Sequence, residues 1–225
     1  RACGIDDIIP VDIGGTSADI GIVVDGQVAE ADARSTEIAG FPLLQPMLDI
    51  HTIGAGGGSI AHVDRGGAFR VGPQSAGAVP GPACYGHGGT EPTVTDANIV
   101  LGRFDGSSRL GGTLELDVTG AARVIERDIA GPLGLSLEEA AAGILRVAHA
   151  NIVRGIRVVS VERGYDPRDF ALVPFGGAGP MHGSPVARDL KMPSVMVPPT
   201  PGILCALGQL ISDLRHDFVE THVAR

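Results

Sequence analysis

The chain has 225 residues, 44% of them hydrophobic and 19% charged, a balance that suits a globular core and excludes a disordered or collagen-like chain. Its formal net charge of −9, with no cluster of Lys or Arg, excludes nucleic acid and anionic membrane surfaces as expected partners. No apolar run reaches the roughly 18 to 20 residues that cross a bilayer. Three widely spaced cysteines (Cys3, Cys84, Cys205) lack metal-ligand spacing, so a reducing cytoplasm is the expected setting.

In chain order, the first residues lack an initiator Met and the regions of a signal peptide, which reads as a piece of a longer chain. Ile8 to Ile13 is β-branched and reads as a strand, although Pro10 cannot donate to a ladder. Gly14-Gly15-Thr16 breaks it, Ile20 to Val24 is a second strand, and Asp25-Gly26 predicts a type I′ hairpin into a third at Gln27-Val28-Ala29. From about residue 41 to 112 helical signals fade and glycines dominate, including Gly54, Gly56, Gly57 and Gly58. A structureless loop of that length is implausible in a compact domain, so a folded glycine-rich insertion is expected. It holds a short strand at Ala68 to Val71 and a helix at Thr95 to Leu101, capped near Thr95 or Asp96.

Asp117 predicts the cap of a helix carrying Ala121, Ala122, Ile125 and Ile129, stopped by Gly131-Pro132. Ser136 with Glu139 is a capping box. It opens a long helix whose apolar positions Ala141, Leu145, Ala148, Ile152, Ile156 and Val159 step by threes and fours. Phe170 to Phe175 is a strand, Gly176 to Pro180 a turn, and Met181 to Leu190 a helix. Val195 to Val197 is a further strand and Gly202 to Leu214 a further helix, its apolar run Ile203 to Ile211 expected to be buried. Strand-turn-helix-strand-helix predicts a parallel layer, hence an α/β fold.

Two glycine motifs carry chemistry. In Asp12-Ile13-Gly14-Gly15-Thr16-Ser17-Ala18-Asp19, a glycine turn after a strand lets backbone N–H groups converge where no Cβ blocks a phosphate oxygen. Thr16 and Ser17 add hydroxyls, and Asp12 is placed to hold a metal ion or orient a water. In Phe175-Gly176-Gly177-Ala178-Gly179-Pro180-Met181-His182, glycines lead into a helix N-terminus, which favours an anionic or polar group. The spacing is not the dinucleotide fingerprint. The combination matches the phosphate and adenosine layout of the second domain of actin-like ATPases.

These residues resemble the hydantoinase A/5-oxoprolinase family. The likeness rests on Asp12 to Asp19, Asp49 to Ser59, Gly72 to Gly102, Val161 to Arg168, Phe175 to His182 and Asp213-Leu214-Arg215-His216-Asp217. Two positions depart from the family pattern: Ala18 stands where Thr is usual, removing a hydroxyl expected near the phosphates, and Pro10 interrupts a plain apolar strand. The resemblance implies ATP-dependent opening of a cyclic amide through phosphorylation of the amide oxygen. It also implies a hydantoinase B-type partner subunit or domain, and an upstream domain with its own phosphate loop, so that this piece alone is half an ATP cleft. Gly14, Gly15 and Thr16 would hold the β- and γ-phosphates of ATP. Asp12 would act with Mg²⁺ or water, and Gly176, Gly177 and Gly179 would border the adenosine. His51 joins Asp12 as a candidate catalytic residue, binding substrate or ordering the Gly54–Ser59 loop, which itself could cradle an anion.

The expected architecture is one nucleotide-binding-type α/β domain over residues 1–225. It is half of an actin-like ATPase (ribonuclease H-like) with a mixed sheet and flanking helices, plus the insertion at about 41–112. The ketone carboxylase branch shares these motifs, and a non-catalytic nucleotide-binding scaffold is the reading from a different class. Cys84 is a candidate nucleophile without a visible His-Asp partnership, against the commoner buried thiol. Asp96, His149 and His182 are read first as capping or packing residues.

Overall fold

The computed structural model describes residues 4–31, 37–38, 41–42, 47–104 and 111–213. Its first strands are β1 (Ile8–Ile13), β2 (Ala18–Ile20), β3 (Val23–Val24) and β4 (Gln27–Val28). Next come β5 (His51–Ile53) and the hairpin of β6 (Ser59–Val63) with β7 (Phe69–Ser75). Helices α1 (Val94–Val100), α2 (Val118–Ile125) and α3 (Leu137–Val159) follow, then β8 (Ala171–Phe175), α4 (Gly179–Leu190) and α5 (Leu204–Ile211). The Asp213–Asp217 motif lies outside the described residues from Leu214 onward, as does Cys3.

β1 alternates strictly, with Ile9, Val11 and Ile13 buried on one face and Asp12 half-buried on the other. β8 lies beside it in parallel, from Ile8 opposite Ala171 to Asp12 opposite Phe175. On its other edge β2 runs antiparallel, and β5 pairs antiparallel with β2. The order across the sheet is therefore β5-β2-β1-β8, with β3 and its hairpin arm β4 against the start of β1. Beyond β8, a single parallel bridge from Leu172 to Val195 marks the place of the expected strand 195–197.

Pro10 sits in this central strand because its missing N–H falls opposite the gap between β2 and β3. There the ladder is carried instead by Gly21 N donating to Pro10 O at 3.1 Å. Asp25 and Gly26 both have positive φ, 51° and 70°, as a type I′ turn requires. The expected arm forms as β4, paired antiparallel with β3, and β5 adds a further antiparallel strand beside β2. Ile53 brings a packed apolar side chain against the core beside Ala18, whereas Gln27 and Val28 are exposed.

α3 explains how one chain builds two cores. Its 23 residues span about 35 Å at the α-helical rise. Ile152, Ile156 and Val159 pack on the sheet with Val186 and Leu190 of α4. Ala141, Leu145 and Ala148, one turn and more earlier, pack under the β6–β7 hairpin with Val94 and Ala97 of α1 and Ile125 and Ile129. Ser136 accepts from Glu139 N while Glu139 accepts from Ser136 N, the predicted capping box.

Three boundaries differ from the sequence reading. α2 does not stop at Gly131-Pro132. A π-turn over Glu126–Ala130 leads into a further helical turn, Gly131–Leu133, in which Pro132 occupies an early position that needs no donor. Gly134, at φ 64°, ends it. α1 is capped by Thr93, with Asp96 as the third helical residue of a reciprocal box. The apolar run at the end forms α5, yet Ile203 (62%), Leu210 (83%) and Ile211 (75%) are exposed, because no described element packs across it.

Candidate functional site

The two predicted glycine turns meet. Ala178 N donates to Ile13 O at 2.9 Å, tying the start of α4 to the end of β1. The turns then border a common cleft of about 300 Å³, to which Gly14, Gly15 and Gly177 contribute backbone. Among the described residues, the N–H groups of Gly15, Thr16 and Gly177 have no protein acceptor. Unspent amides around a concavity form a site for anionic oxygens.

The five glycines and Thr16 do different work. A Cβ on Gly15 or Gly177 would meet nothing within 4 Å, so these positions keep the cleft open. Gly176 has φ 81° and presses on Asp12 and on the Ile13 carbonyl, where no side chain fits. Gly179 packs 3.3 Å (from its notional Cβ) from the backbone of Pro174. Thus Gly176 and Gly179 position the turn, and Gly177 faces the space. Thr16 Oγ1 lies 3.4 Å from Ser75 Oγ, which also accepts from Gly77 N, so the end of β7 joins the rim.

The Gly54–Ser59 loop does not cradle an anion. Its amides are already committed: Gly57 N donates to Gly14 O (2.9 Å), Gly58 N to Gly15 O (2.6 Å) and Gly56 N to Ser59 Oγ (2.8 Å). It is a second glycine turn stacked on the first, and Thr95 holds it from behind through N and Oγ1 to Gly57 O, both at 2.8 Å. Its only sequence signal was glycine repetition, which does not say which backbone it approaches.

Asp12 ends β1 on the face opposite the core, directly across from Asp19 of β2, whose carboxylate accepts from Thr52 Oγ1 at 2.5 Å. Cys205 Sγ donates to Asp12 Oδ2 at 3.1 Å, and that bond raises the thiol. His51 is not brought to Asp12. It pairs with Ile20, which places it on the core-facing side of the sheet, and it is not part of the cleft lining. Ala18 is also core-facing and fully buried, so a Thr there would put its hydroxyl among Ile13 and Ile53 and not at the phosphate turn. Mg²⁺ binds through one or two carboxylates plus substrate phosphates and keeps several waters. Asp12 with Asp19 fits that demand. No group of three or more His, Cys, Asp or Glu among the described residues would hold a metal by protein ligands alone.

Cys84 is fully buried, and burial followed by the adjacent Asp96 pushes its thiol well above the usual range. A thiol held protonated is no nucleophile. Asp96, also fully buried, accepts from Cys84 N (2.8 Å), Ala83 N (3.3 Å), Thr93 N (2.9 Å) and Thr93 Oγ1 (2.7 Å). It is the post that pins the 82–85 loop to α1. Replacing Asp96 by Ala is expected to destabilise the protein by about 2–4 kcal/mol, since buried donors lose their acceptor together. A urea midpoint unchanged from the parent would refute this.

His149 of α3 and His182 of α4 form a buried pair, Nε2 to Nδ1 at 3.0 Å. Burial lowers His149 to about 4, with Arg103 adding to it and Asp189 opposing. Burial, then His149 and Arg103, lowers His182 to about 3. Both therefore bind protons more weakly folded than unfolded. Stability is full above the ordinary imidazole value of about 6.5, and falls as pH drops from there toward 4. The expected loss from His149 alone is about 3 kcal/mol across that window. Urea unfolding at stepped pH checks it, and a double His149→Leu, His182→Leu variant should flatten the slope.

The family model for hydantoinase/oxoprolinase matches residues 1–218, and the chain belongs to that family. Caprolactamase subunit alpha of Pseudomonas jessenii is 48% identical over 218 residues, covering 97% of this chain and 31% of that one. The crystal structure of the ATP-dependent caprolactamase from this bacterium superposes with a TM-score of 0.86 at 46% identity, over 96% of this chain and 31% of that one. The acetophenone carboxylase gamma subunit of Aromatoleum aromaticum is 41% identical, over 97% of this chain and 30% of its own length. For 5-oxoprolinase 1 of Arabidopsis thaliana the identity is 40%, over 96% and 18%. This chain thus spans less than a third of each relative.

Proposed function

We propose that residues 1–225 are a single nucleotide-binding lobe, half of an actin-like ATPase, in an ATP-dependent enzyme that opens cyclic amides. The observation that carries this reading is the convergence of two glycine turns on one cleft where the amides of Gly15, Thr16 and Gly177 have no acceptor among the described residues. The strand order β5-β2-β1-β8, antiparallel then parallel, supports the half-ATPase architecture.

In the proposed reaction the amide oxygen of the substrate attacks the γ-phosphorus of ATP. The bond to the bridging oxygen breaks, and ADP leaves with its electron pair. Water then adds to the activated carbon, the C–N bond breaks, and the ring nitrogen leaves as an amine. A second water hydrolyses the acyl phosphate to carboxylate and phosphate. Gly15 and Gly177 amides with the Thr16 hydroxyl hold phosphoryl oxygens, where charge accumulates in the transition state. Mg²⁺, when bound, neutralises that charge. Asp12 orients it from the end of β1, with Asp19 alongside. His51, on the other sheet face, serves through the order of the β5 edge.

Relatives named as subunits, such as caprolactamase subunit alpha, support a partner subunit, for which a hydantoinase B-type chain is our reading, with a cytoplasmic setting proposed alongside it; no described helix is long and apolar enough to cross a membrane. The 41% identity to a ketone carboxylase subunit favours a second reading, in which the same cleft phosphorylates a ketone enolate or bicarbonate for carboxylation. The test is ADP release by the intact protein with its co-purifying subunits, across lactams, hydantoins and ketones with bicarbonate. Lactam-stimulated release establishes the hydrolase, release only with ketone and bicarbonate establishes the carboxylase, and no stimulated release sinks both.

A further inference from the structure

Asp12, Asp19 and Thr52 stand directly opposite one another on β1, β2 and β5. Opposed residues of antiparallel strands share a face. The rungs on either side, Val11-Ile20-His51 and Ile13-Ala18-Ile53, turn toward the core, so this rung turns away from it. One end of the rung is a hydroxyl. Thr52 Oγ1 donates to Asp19 Oδ1 at 2.5 Å, the length of a hydrogen bond to a charged acceptor. The β-branched Thr52 side chain turns little about χ1, and the pairing of β5 with β2 holds its backbone. At the other end Cys205 Sγ donates to Asp12 Oδ2, a weaker donor on an exposed helix. Side chains on opposed residues have Cβ atoms about 5 Å apart, so the two carboxylates repel each other. Unbraced, Asp19 would rotate away from Asp12.

We infer that Thr52 is a positioning residue for the divalent cation that accompanies ATP. Its hydroxyl fixes Asp19 by Oδ1 and leaves Oδ2 to the cation or to a water that the cation carries. The inference rests on the ATP-dependent reading and adds to it the residue that orders the second carboxylate. A hydrated Mg²⁺ takes one or two carboxylates together with the phosphates, and a carboxylate already held in place loses less rotamer freedom on binding it. Thr52 acts only through Asp19. The block Asp49 to Ser59 therefore reaches the site twice, through the Gly54–Ser59 buttress and through Thr52, which lies on the sheet face opposite His51.

The experiment is Mn²⁺ binding, read by electron paramagnetic resonance, to the intact protein with its co-purifying subunits and a non-hydrolysable ATP analogue. Thr52→Val removes the hydroxyl and keeps a β-branched side chain, and Thr52→Ser gives the hydroxyl back. Thr52→Val is expected to weaken Mn²⁺ about tenfold, the loss of one hydrogen bond to a charged group, while Thr52→Ser stays within about threefold of the parent. Affinity for the analogue in EDTA should stay within about twofold for both, since the phosphate turn is untouched. In an Asp19→Asn background the same Thr52→Val change should cost less than about twofold, because the two residues act as a unit. Should Thr52→Val fail to fold, Thr52→Ser set against Thr52→Ala reads the same difference. Unchanged Mn²⁺ affinity in Thr52→Val, no recovery in Thr52→Ser, or an equal loss in the Asp19→Asn background would each overturn the inference. In those cases analogue binding by the parent leaves the ATP-dependent reading standing. A parent complex that binds the analogue neither with Mn²⁺ nor in EDTA overturns both.

Discussion

Asp12→Asn is expected to lower ATP turnover by about two to three orders of magnitude while the urea midpoint stays near the parent value. The carboxylate lies on the sheet face away from the buried core and is half-exposed, so no apolar packing depends on its charge. Among the described residues its one side-chain hydrogen bond comes from the thiol of Cys205, on a short exposed helix. The charge is therefore available to a divalent cation riding on the nucleotide, and an amide of the same shape cannot replace it. Asp19→Asn should cost less, because Asp19 is partly satisfied by Thr52. Steady-state ADP release on both variants is the measurement. Turnover of Asp12→Asn within threefold of the parent would remove Asp12 from the mechanism.

Gly56→Ala is expected to damage both fold and binding. The added Cβ would sit 2.6 Å from Gly15 C and from Thr16 N, and these are backbone atoms with no rotamer to yield. The stacked turns must separate, at a loss of about 1–3 kcal/mol of stability typical of overpacking. The Gly15 amide moves with them, and misplacement by about 1 Å costs about 100-fold at a reacting centre. Gly15→Ala is the informative contrast, since its Cβ meets nothing within 4 Å and its φ is not positive. That variant should unfold like the parent and bind nucleotide poorly because the methyl fills the cleft. Thermal unfolding together with titration of an ATP analogue separates the two. If both variants lose stability equally, the stacking argument is wrong.

Local signals were strongest where one short stretch of chain decides the outcome. The Asp25-Gly26 turn, the Ser136–Glu139 box, the Asp117 cap and the apolar stripe of α3 are legible because capping and 3.6-residue periodicity act over a few neighbours. The two glycine turns were legible for the same reason. That they border a single cleft is decided by β1 and β8 lying side by side. Where local sequence carries no answer, the deciding partner is remote. His51 sits on the core face because β5 registers with β2, and the Gly54–Ser59 loop is a buttress because it lands on Gly14 and Gly15.

By itself, then, the sequence determined the α/β class, the helices and their caps, the two glycine turns and the family. Each of these is encoded by residues within a few positions of one another or by a motif read whole. Tertiary structure alone decided that β5 extends the sheet beyond β2 and why Pro10 is tolerated in a central strand. It decided that Ala18 removes no hydroxyl from the cleft, and that Tyr85, Thr95 and Phe104 line the same cleft as the glycine turns. For the strand positions the physical reason is the same. Register sets which face a side chain occupies, one residue of slip reverses it, and register is settled by pairing between segments far apart in the chain.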